Sequence, residues 1–249
     1  MNDWYDKGEG SEHMKQQIAK SARENPVPHP MCIGCEHKKP RKRRKELTMG
    51  PPWAADALRD AIAMGADEGY LATDRAFAGA DTWATSLTLA KTVEHMGGYD
   101  IIICGLKTTD GDTGQTGPEM AEHMGIPHVC YVNEIVEVGN GKVILKRIMD
   151  DGIETLEVPL PLLITVSKDI NQPRLATLRG RLKAKKAVFK EITNGDLKLP
   201  VKEIGLDGSY TRVVKIFEPE VHYAGEIVQG TTEELVGAII AKLQECKVI

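Results

Sequence analysis

The chain holds 249 residues, 41% hydrophobic and 27% charged, with a net charge of −4. That length suits one large α/β domain or a domain with an extended arm, and no apolar run nears the roughly 20 residues a membrane span needs. Seven positive charges stand together in Lys38-Lys39-Pro40-Arg41-Lys42-Arg43-Arg44-Lys45, so the remainder carries −11, which argues against nucleic acid as its partner.

Residues 1 to 45 are polar, bring Pro26, Pro28 and Pro30 close together and show no sustained periodicity, which predicts an irregular segment. From Leu47 onward apolar strands alternate with amphipathic helices, the pattern of a mostly parallel α/β sheet with flanking helices. Leu47 to Gly50 reads as the end of a strand entering the turn Gly50-Pro51-Pro52. A helix follows from about Trp53 to Met64, with Ala57, Leu58, Ala61 and Ile62 on its apolar face and Gly65 at its end. After a short strand at Tyr70-Leu71-Ala72, Asp81 can cap a helix in which Trp83, Leu87, Ala90 and Val93 share a face and which stops at Gly97-Gly98. Ile101 to Cys104 is a buried strand, followed by a loop, a helix from Pro118 and a strand around Val129 to Val132. Gly139-Asn140-Gly141 and Asp150-Asp151-Gly152 then separate short apolar runs and predict a β-hairpin insertion. Leu160 to Val166 is a further buried strand, and Ser167 to Lys190 is basic and loop-like at first. A last helix runs from near Thr231 to about Cys246, with Thr231 and Glu234 at capping-box spacing and a stripe of Leu235, Ile239 and Leu243.

The stretch Gly105 to Met120 carries the most chemical information. It leaves a strand and enters a helix, and its glycines Gly111, Gly114 and Gly117 let backbone approach a ligand. Pro118 suits the first helical position and Thr116 with Glu119 repeats the capping-box spacing. Free amides at a helix start form an anion site, and ligands of open α/β sheets bind beyond the carboxyl ends of the strands. Phosphates would meet the amides of Gln115, Thr116 and Gly117, while Asp110 and Asp112 would accept hydrogen bonds from ribose hydroxyls or loop amides. A capped glycine-rich loop with no ligand is the other reading, because neither a GxGxxG nor a P-loop pattern is present.

Leu47-Thr48-Met49-Gly50-Pro51-Pro52, Ala63-Met64-Gly65-Ala66-Asp67, Asp74-Arg75-Ala76-Phe77-Ala78-Gly79-Ala80-Asp81-Thr82, the Asp110 to Glu119 loop, and Asn171-Gln172-Pro173-Arg174-Leu175-Ala176-Thr177-Leu178 together resemble the β subunit of electron transfer flavoproteins. The resemblance covers about four-fifths of the chain, from Leu47 to Ile249. It implies a Rossmann-like, adenine-nucleotide-binding fold with an extended C-terminal arm, paired with an α subunit that holds FAD. The β subunit of the family buries a second nucleotide: AMP in simple electron carriers, or a second FAD in bifurcating members. The bifurcating members oxidise NADH and send one electron to ferredoxin or flavodoxin and the other towards an acyl-CoA or other flavin dehydrogenase. The family's nucleotide contacts fall on Met49, Gly105, Lys107, Asp110, Gly111, Asp112, Thr113, Gly114, Gln115, Thr116 and Gly117, and Gly111 with Thr113 resembles the FAD-binding variant. Its recognition loop matches 173–186, where Leu178 would anchor a partner dehydrogenase with Arg179, Arg181 and Lys183 around it. The resulting division is 1–46 as an atypical segment, 47–209 as the nucleotide-binding domain and 210–249 as an arm and helix contacting the α subunit. The flavin carries the redox chemistry, so no catalytic acid or base is assigned.

Residues 1 to 46 do not match the family, whose first strand and helix form one side of the nucleotide pocket. A chain folding as written therefore has a sheet lacking that strand. The same segment offers His29, Cys32, Cys35 and His37 as a zinc set with two-residue cysteine spacing, although zinc sites usually separate their ligand pairs by a longer loop. A nucleotide-binding regulatory module with a zinc-stabilised basic tail is thus the reading from another functional class. Cys32, Cys35, Cys104, Cys130 and Cys246 are odd in number and irregular in spacing, which predicts no disulfide framework and a reducing, cytoplasmic setting.

Overall fold

The computed structural model describes residues 43–109, 111–173, 175–217, 225 and 227–247. The chain divides into two units, one up to Arg212 and one from Val213. The zinc candidates His29, Cys32, Cys35 and His37 lie outside the described residues, and no metal-holding cluster of His, Cys, Asp or Glu occurs among the described ones.

The first unit begins with β1 (Lys45–Met49), a 3-10 turn at Pro52–Ala54 and α1 (Ala55–Met64). The predicted face of α1, Ala57, Leu58, Ala61 and Ile62, is the buried one, and Gly65 closes the helix at φ 124°, which favours glycine. β2 (Glu68–Ala72) pairs parallel with β1, Leu47 opposite Tyr70 and Met49 opposite Ala72. α2 (Thr82–Met96) follows, with the Asp81 carboxylate accepting from the Ala84 N–H at 3.1 Å as its cap. The expected stripe of α2 is only half correct. Ala90 and Val93 are buried, but so are Ala84, Ser86, Thr88 and Thr92, while Trp83 and Leu87 are half-exposed. The three hydroxyls can be buried because each donates to a carbonyl of the preceding turn: Ser86 to Trp83, Thr88 to Ala84 and Thr92 to Thr88. A period read from apolar side chains alone misses such positions.

β3 (Ile101–Gly105), α3 (Thr116–Met124), β4 (His128–Gly139), β5 (Lys142–Met149), β6 (Gly152–Pro159) and β7 (Leu162–Val166) come next. β4 is not a four-residue strand. It continues directly into the hairpin insertion, which turns at Asn140 (φ 53°) and Gly141 (φ 76°), the left-handed pair that an Asn-Gly turn supplies. α4 (Leu178–Lys185), β8 (Lys190–Ile192) and α5 (Asn194–Leu197) follow, so the basic segment that is loop-like at first becomes helical from Leu178.

The strands form two sheets. One is parallel, in the order β1-β2-β8; the other is mixed, in the order β3-β7-β4-β5-β6. β7 is buried at all five positions and centres the larger core with Val129, Val132, Val143 and Leu145. A second cluster spans both sheets: Leu47 of β1 and Ile102 and Cys104 of β3 pack with Val93, Met120, Ala121 and Leu163. Among described residues no ladder joins β1 to β3.

The basic run is not wholly a solvated tail. Arg43 pairs with Glu68 at 2.7 Å, Arg44 with Asp67 at 3.5 Å, and the Lys45 ammonium donates to the Met96 and Gly97 carbonyls at 2.8 and 2.6 Å. Lys45 thereby ties the start of β1 to the end of α2.

The second unit carries α6 (Thr232–Glu245), closed at its start by the reciprocal Thr231–Glu234 capping box. None of its residues is buried, and Val236, Ile239, Ile240 and Leu243 form an exposed apolar stripe. No described helix is long and apolar enough to cross a membrane.

Candidate functional site

The strands β1 and β3 end at Met49 and Gly105, and each is the edge strand of its own sheet among the described residues, β1 beside β2 and β3 beside β7. In open α/β sheets ligands bind beyond the carboxyl ends of the strands. The loop from Gly105 to Thr116 leaves the carboxyl end of β3 at this place. Gly111, Asp112 and Thr113 are exposed and Met49 is half-buried. Asp110 lies outside the described residues.

The loop is held by its own bonds. The Asp112 N–H donates to the Thr108 carbonyl at 3.1 Å, and the Gly111 N–H to the Thr108 hydroxyl at 3.3 Å. The Lys107 ammonium pairs with the Asp112 carboxylate at 2.7 Å, which pushes the Lys107 pKa up. Asp112 is thus neutralised by a neighbour five residues earlier in the chain. It takes φ 50° and Gly114 takes φ 65°, so the loop makes two left-handed turns before the helix.

α3 begins at Thr116, which leaves Pro118 as its third residue rather than its first. The expected Thr116–Glu119 capping box does not form. Gln115 stands at the cap position with no side-chain bond, and Glu119 instead accepts from the Thr82 hydroxyl of α2 at 3.3 Å. The first-turn amides are therefore without a side-chain cap. Gly117 is buried, and a Cβ there would stand 2.7 Å from the Thr165 methyl and 3.6 Å from the Cys104 Cβ. Its lack of a side chain lets α3 lie against β7 and β3, a packing reason that needs no ligand.

Two neighbours of the loop escape a linear reading. β4 bulges between Val129 and Val132, and Tyr131 at the bulge takes φ 60° with half its surface exposed. A bulky residue in that region is strained, and its N–H is held by the Thr165 hydroxyl at 3.3 Å. Tyr131 lies close enough to Lys107 to contribute to its raised pKa. Glu46 on β1 is half-buried, and burial pushes its pKa up to about 7. A bulge leaves no period-2 signature, and a glutamate beside a basic run reads as solvated.

The docking residues lie apart from this loop. Thr177 caps α4, accepting from the Gly180 N–H at 3.0 Å, and Leu178 is 76% exposed at its first position. Arg179 and Lys183 line a groove of about 680 Å³ with Arg44, Met64, Asp67 and Leu175. Arg181 is exposed, whereas Lys183 donates to the Ala66 carbonyl at 3.0 Å and so anchors α4 on the end of α1. Gly180 makes that approach possible, since a Cβ on it would fall within 2.1 Å of the Ala63 carbonyl oxygen. Gly180→Ala will displace α4 and cost about 1–3 kcal/mol, read as a lower urea midpoint.

Residues 46–197 match the model of the electron transfer flavoprotein domain. The chain is 46% identical over 204 residues to an electron transfer flavoprotein subunit beta of Thermoanaerobacterium thermosaccharolyticum, covering 82% of this chain and 78% of the relative. It is 41% identical, with the same coverage, to the caffeyl-CoA reductase-Etf complex subunit CarD of Acetobacterium woodii. It is 40% identical over 210 residues to the acryloyl-CoA reductase electron transfer subunit gamma of Anaerotignum propionicum, covering 82% of this chain and 78% of the relative. The chain belongs to the electron transfer flavoprotein family, among its β subunits.

Proposed function

We propose that this chain forms a cytoplasmic heterodimer with an electron transfer flavoprotein α subunit, holds FAD on the loop from Gly105 to Thr116, and takes part in electron bifurcation from NADH. The observation that carries this reading is the start of α3, whose amides lack a side-chain cap at the end of β3. Such amides suit a pyrophosphate, and the loop carboxylate Asp112 does not oppose it because Lys107 compensates its charge. Gln115 and Thr116 would bind the phosphates through their backbone, and exposed Gly111 leaves room beside them. The flavin supplies the redox chemistry, while these residues bind and orient it.

The relatives named for caffeyl-CoA and acryloyl-CoA reductases support an acyl-CoA-type dehydrogenase as one electron partner; ferredoxin or flavodoxin is the proposed low-potential acceptor. Leu178 would enter an apolar pocket on the dehydrogenase, with Arg179 and Arg181 meeting acidic groups around it. Lys183 supports α4 from behind. The bare stripe of α6 supports burial against the α subunit.

Co-expression with the α subunit and identification of the released nucleotides tests the reading. Two FAD per heterodimer is the expected result. One FAD with one AMP would make the chain part of a simple carrier, and no nucleotide in this subunit would overturn the site. Leu178→Ala will lower electron transfer to the dehydrogenase by at least about tenfold, the cost of an interface anchor, with nucleotide content unchanged.

A further inference from the structure

At three described helix starts a threonine stands three residues ahead of an acidic residue: Thr116–Glu119, Thr193–Asp196 and Thr231–Glu234. Two of these pairs close on their own helix. The Asp196 carboxylate accepts from the Thr193 N–H at 2.8 Å, and the Glu234 carboxylate from the Thr231 N–H at 2.8 Å. Glu119 turns away. Its Oε1 accepts from the Thr82 hydroxyl of α2 at 3.3 Å, across 37 residues of sequence. Its Oε2 is buried with no hydrogen-bond partner among the described residues.

That arrangement is unfavourable for the chain alone. A first-turn carboxylate is attracted by free amides and by the positive end of the helix dipole. A buried acceptor left without a bond costs free energy as well. α3 begins at Thr116, one residue earlier than a closed box needs, yet Glu119 remains in its first turn. Helix side chains lean towards the N-terminus, which brings the carboxylate within reach of the Thr116 amide. Pro118 has no N–H, so Thr116 and Gly117 carry the free amides that follow the cap position. The pair that stays open is thus the one where the loop from Gly105 meets its helix.

α2 supplies the restraint. Asp81 caps α2 through the Ala84 N–H and also accepts from the Thr211 N–H at 2.9 Å, which fixes the position of Thr82 beside it. Trp83 stacks on His123, one turn along α3 from Glu119, with ring centroids 4.3 Å apart. α3 is seated on β7 through Gly117. With both helices held, the Glu119 side chain is the part left to move, and the Thr82 hydroxyl is its one bonded partner.

We infer that Thr82 is a positioning residue for the nucleotide: its hydroxyl draws the Glu119 carboxylate off the start of α3, so that the Thr116 and Gly117 amides stay open to an anion. This rests on the proposal that nucleotide phosphates bind there. The bond from Thr82 is long for a hydroxyl on a carboxylate, so the open and closed forms lie close in free energy and one hydroxyl decides between them.

The test uses the full chain in complex with its α subunit. FAD is the probe for affinity, and amide exchange in the nucleotide-free complex is a readout that needs no ligand. Thr82→Val keeps the shape and loses the donor. FAD should then bind about fivefold more weakly, the size of a helix-cap contact, and exchange at the Thr116 and Gly117 amides should slow by a similar factor as Glu119 closes on them. Thr82→Ser keeps the donor and should match wild type in both. Thr82→Val/Glu119→Ala has no carboxylate to close and should restore both. Unchanged exchange in Thr82→Val overturns the inference. So does weak FAD binding that Glu119→Ala does not restore, which would make Thr82 a direct contact or a packing residue. Weaker binding in Glu119→Ala alone also overturns it, because Glu119 would then itself touch the nucleotide. If wild type holds no FAD in this subunit while exchange responds to Thr82 and Glu119 as expected, the phosphate site fails and the hold of Thr82 on Glu119 stands.

Discussion

Glu46→Gln will stabilise the protein at pH 8 by about 3 kcal/mol, with no change near pH 4. Burial raises the Glu46 carboxyl from 4.5 to about 7. A raised carboxyl favours the protonated form in the folded state. Its contribution is therefore complete below pH 4.5 and is lost as pH rises through 7, because the unfolded chain then ionises freely while the folded protein must either keep the proton or hold a charge that burial disfavours. Each pKa unit is worth about 1.4 kcal/mol, which sets the magnitude. Glutamine has nearly the shape of the protonated acid and cannot ionise. Wild type should lose stability between pH 4.5 and 7 from this group, while the variant is flat over that window. Thermal midpoints across pH 4 to 9 read the difference, and at roughly 2–4 °C per kcal/mol the gap at pH 8 is about 6–12 °C. A parallel shift at all pH values would assign the effect to packing rather than ionisation.

The parts of this fold legible in the sequence are those where a residue has one structural use. Gly139-Asn140-Gly141 reads as a hairpin because its left-handed turn needs such residues, and the structure has Asn140 and Gly141 at φ 53° and 76°. Thr231 and Glu234 form the box their spacing predicts, whereas Thr116 and Glu119 have the same spacing and do not. There a tertiary partner, Thr82, captures the glutamate instead. α4 was hidden for the opposite reason. Leu178-Arg179-Gly180-Arg181-Leu182-Lys183-Ala184-Lys185 has a central glycine and no apolar stripe, and it holds its helix by laying Gly180 and Ala184 against the body. The raised carboxyl of Glu46 depends on which face of β1 it occupies. That face was hidden because the reading began the strand at Leu47.

Gly117→Ala separates the packing role of the glycine-rich loop from its ligand role. The added Cβ would meet the Thr165 Cγ2 at 2.7 Å, closer than real Cβ atoms come. Thr165 cannot simply turn away. It is buried in the fully buried strand β7, and its hydroxyl accepts from the strained Tyr131 N–H. The helix start must move instead, taking with it the amides proposed to hold phosphate. The expected cost is about 1–3 kcal/mol in the nucleotide-free chain, the range for overpacking a tight site, and at least a tenfold loss of nucleotide affinity. Gly111→Ala is the contrasting variant. Its Cβ would meet nothing closer than the Thr108 hydroxyl at 3.4 Å, so stability should stay within about 0.5 kcal/mol and any change in affinity would report contact with the ligand. Thr165→Ser removes the offending methyl and keeps the hydroxyl, so the double variant Gly117→Ala/Thr165→Ser should recover most of the stability lost by the single one. If it does not, the clash lies elsewhere. If Gly117→Ala leaves affinity untouched while lowering stability, the start of α3 does not hold the phosphates.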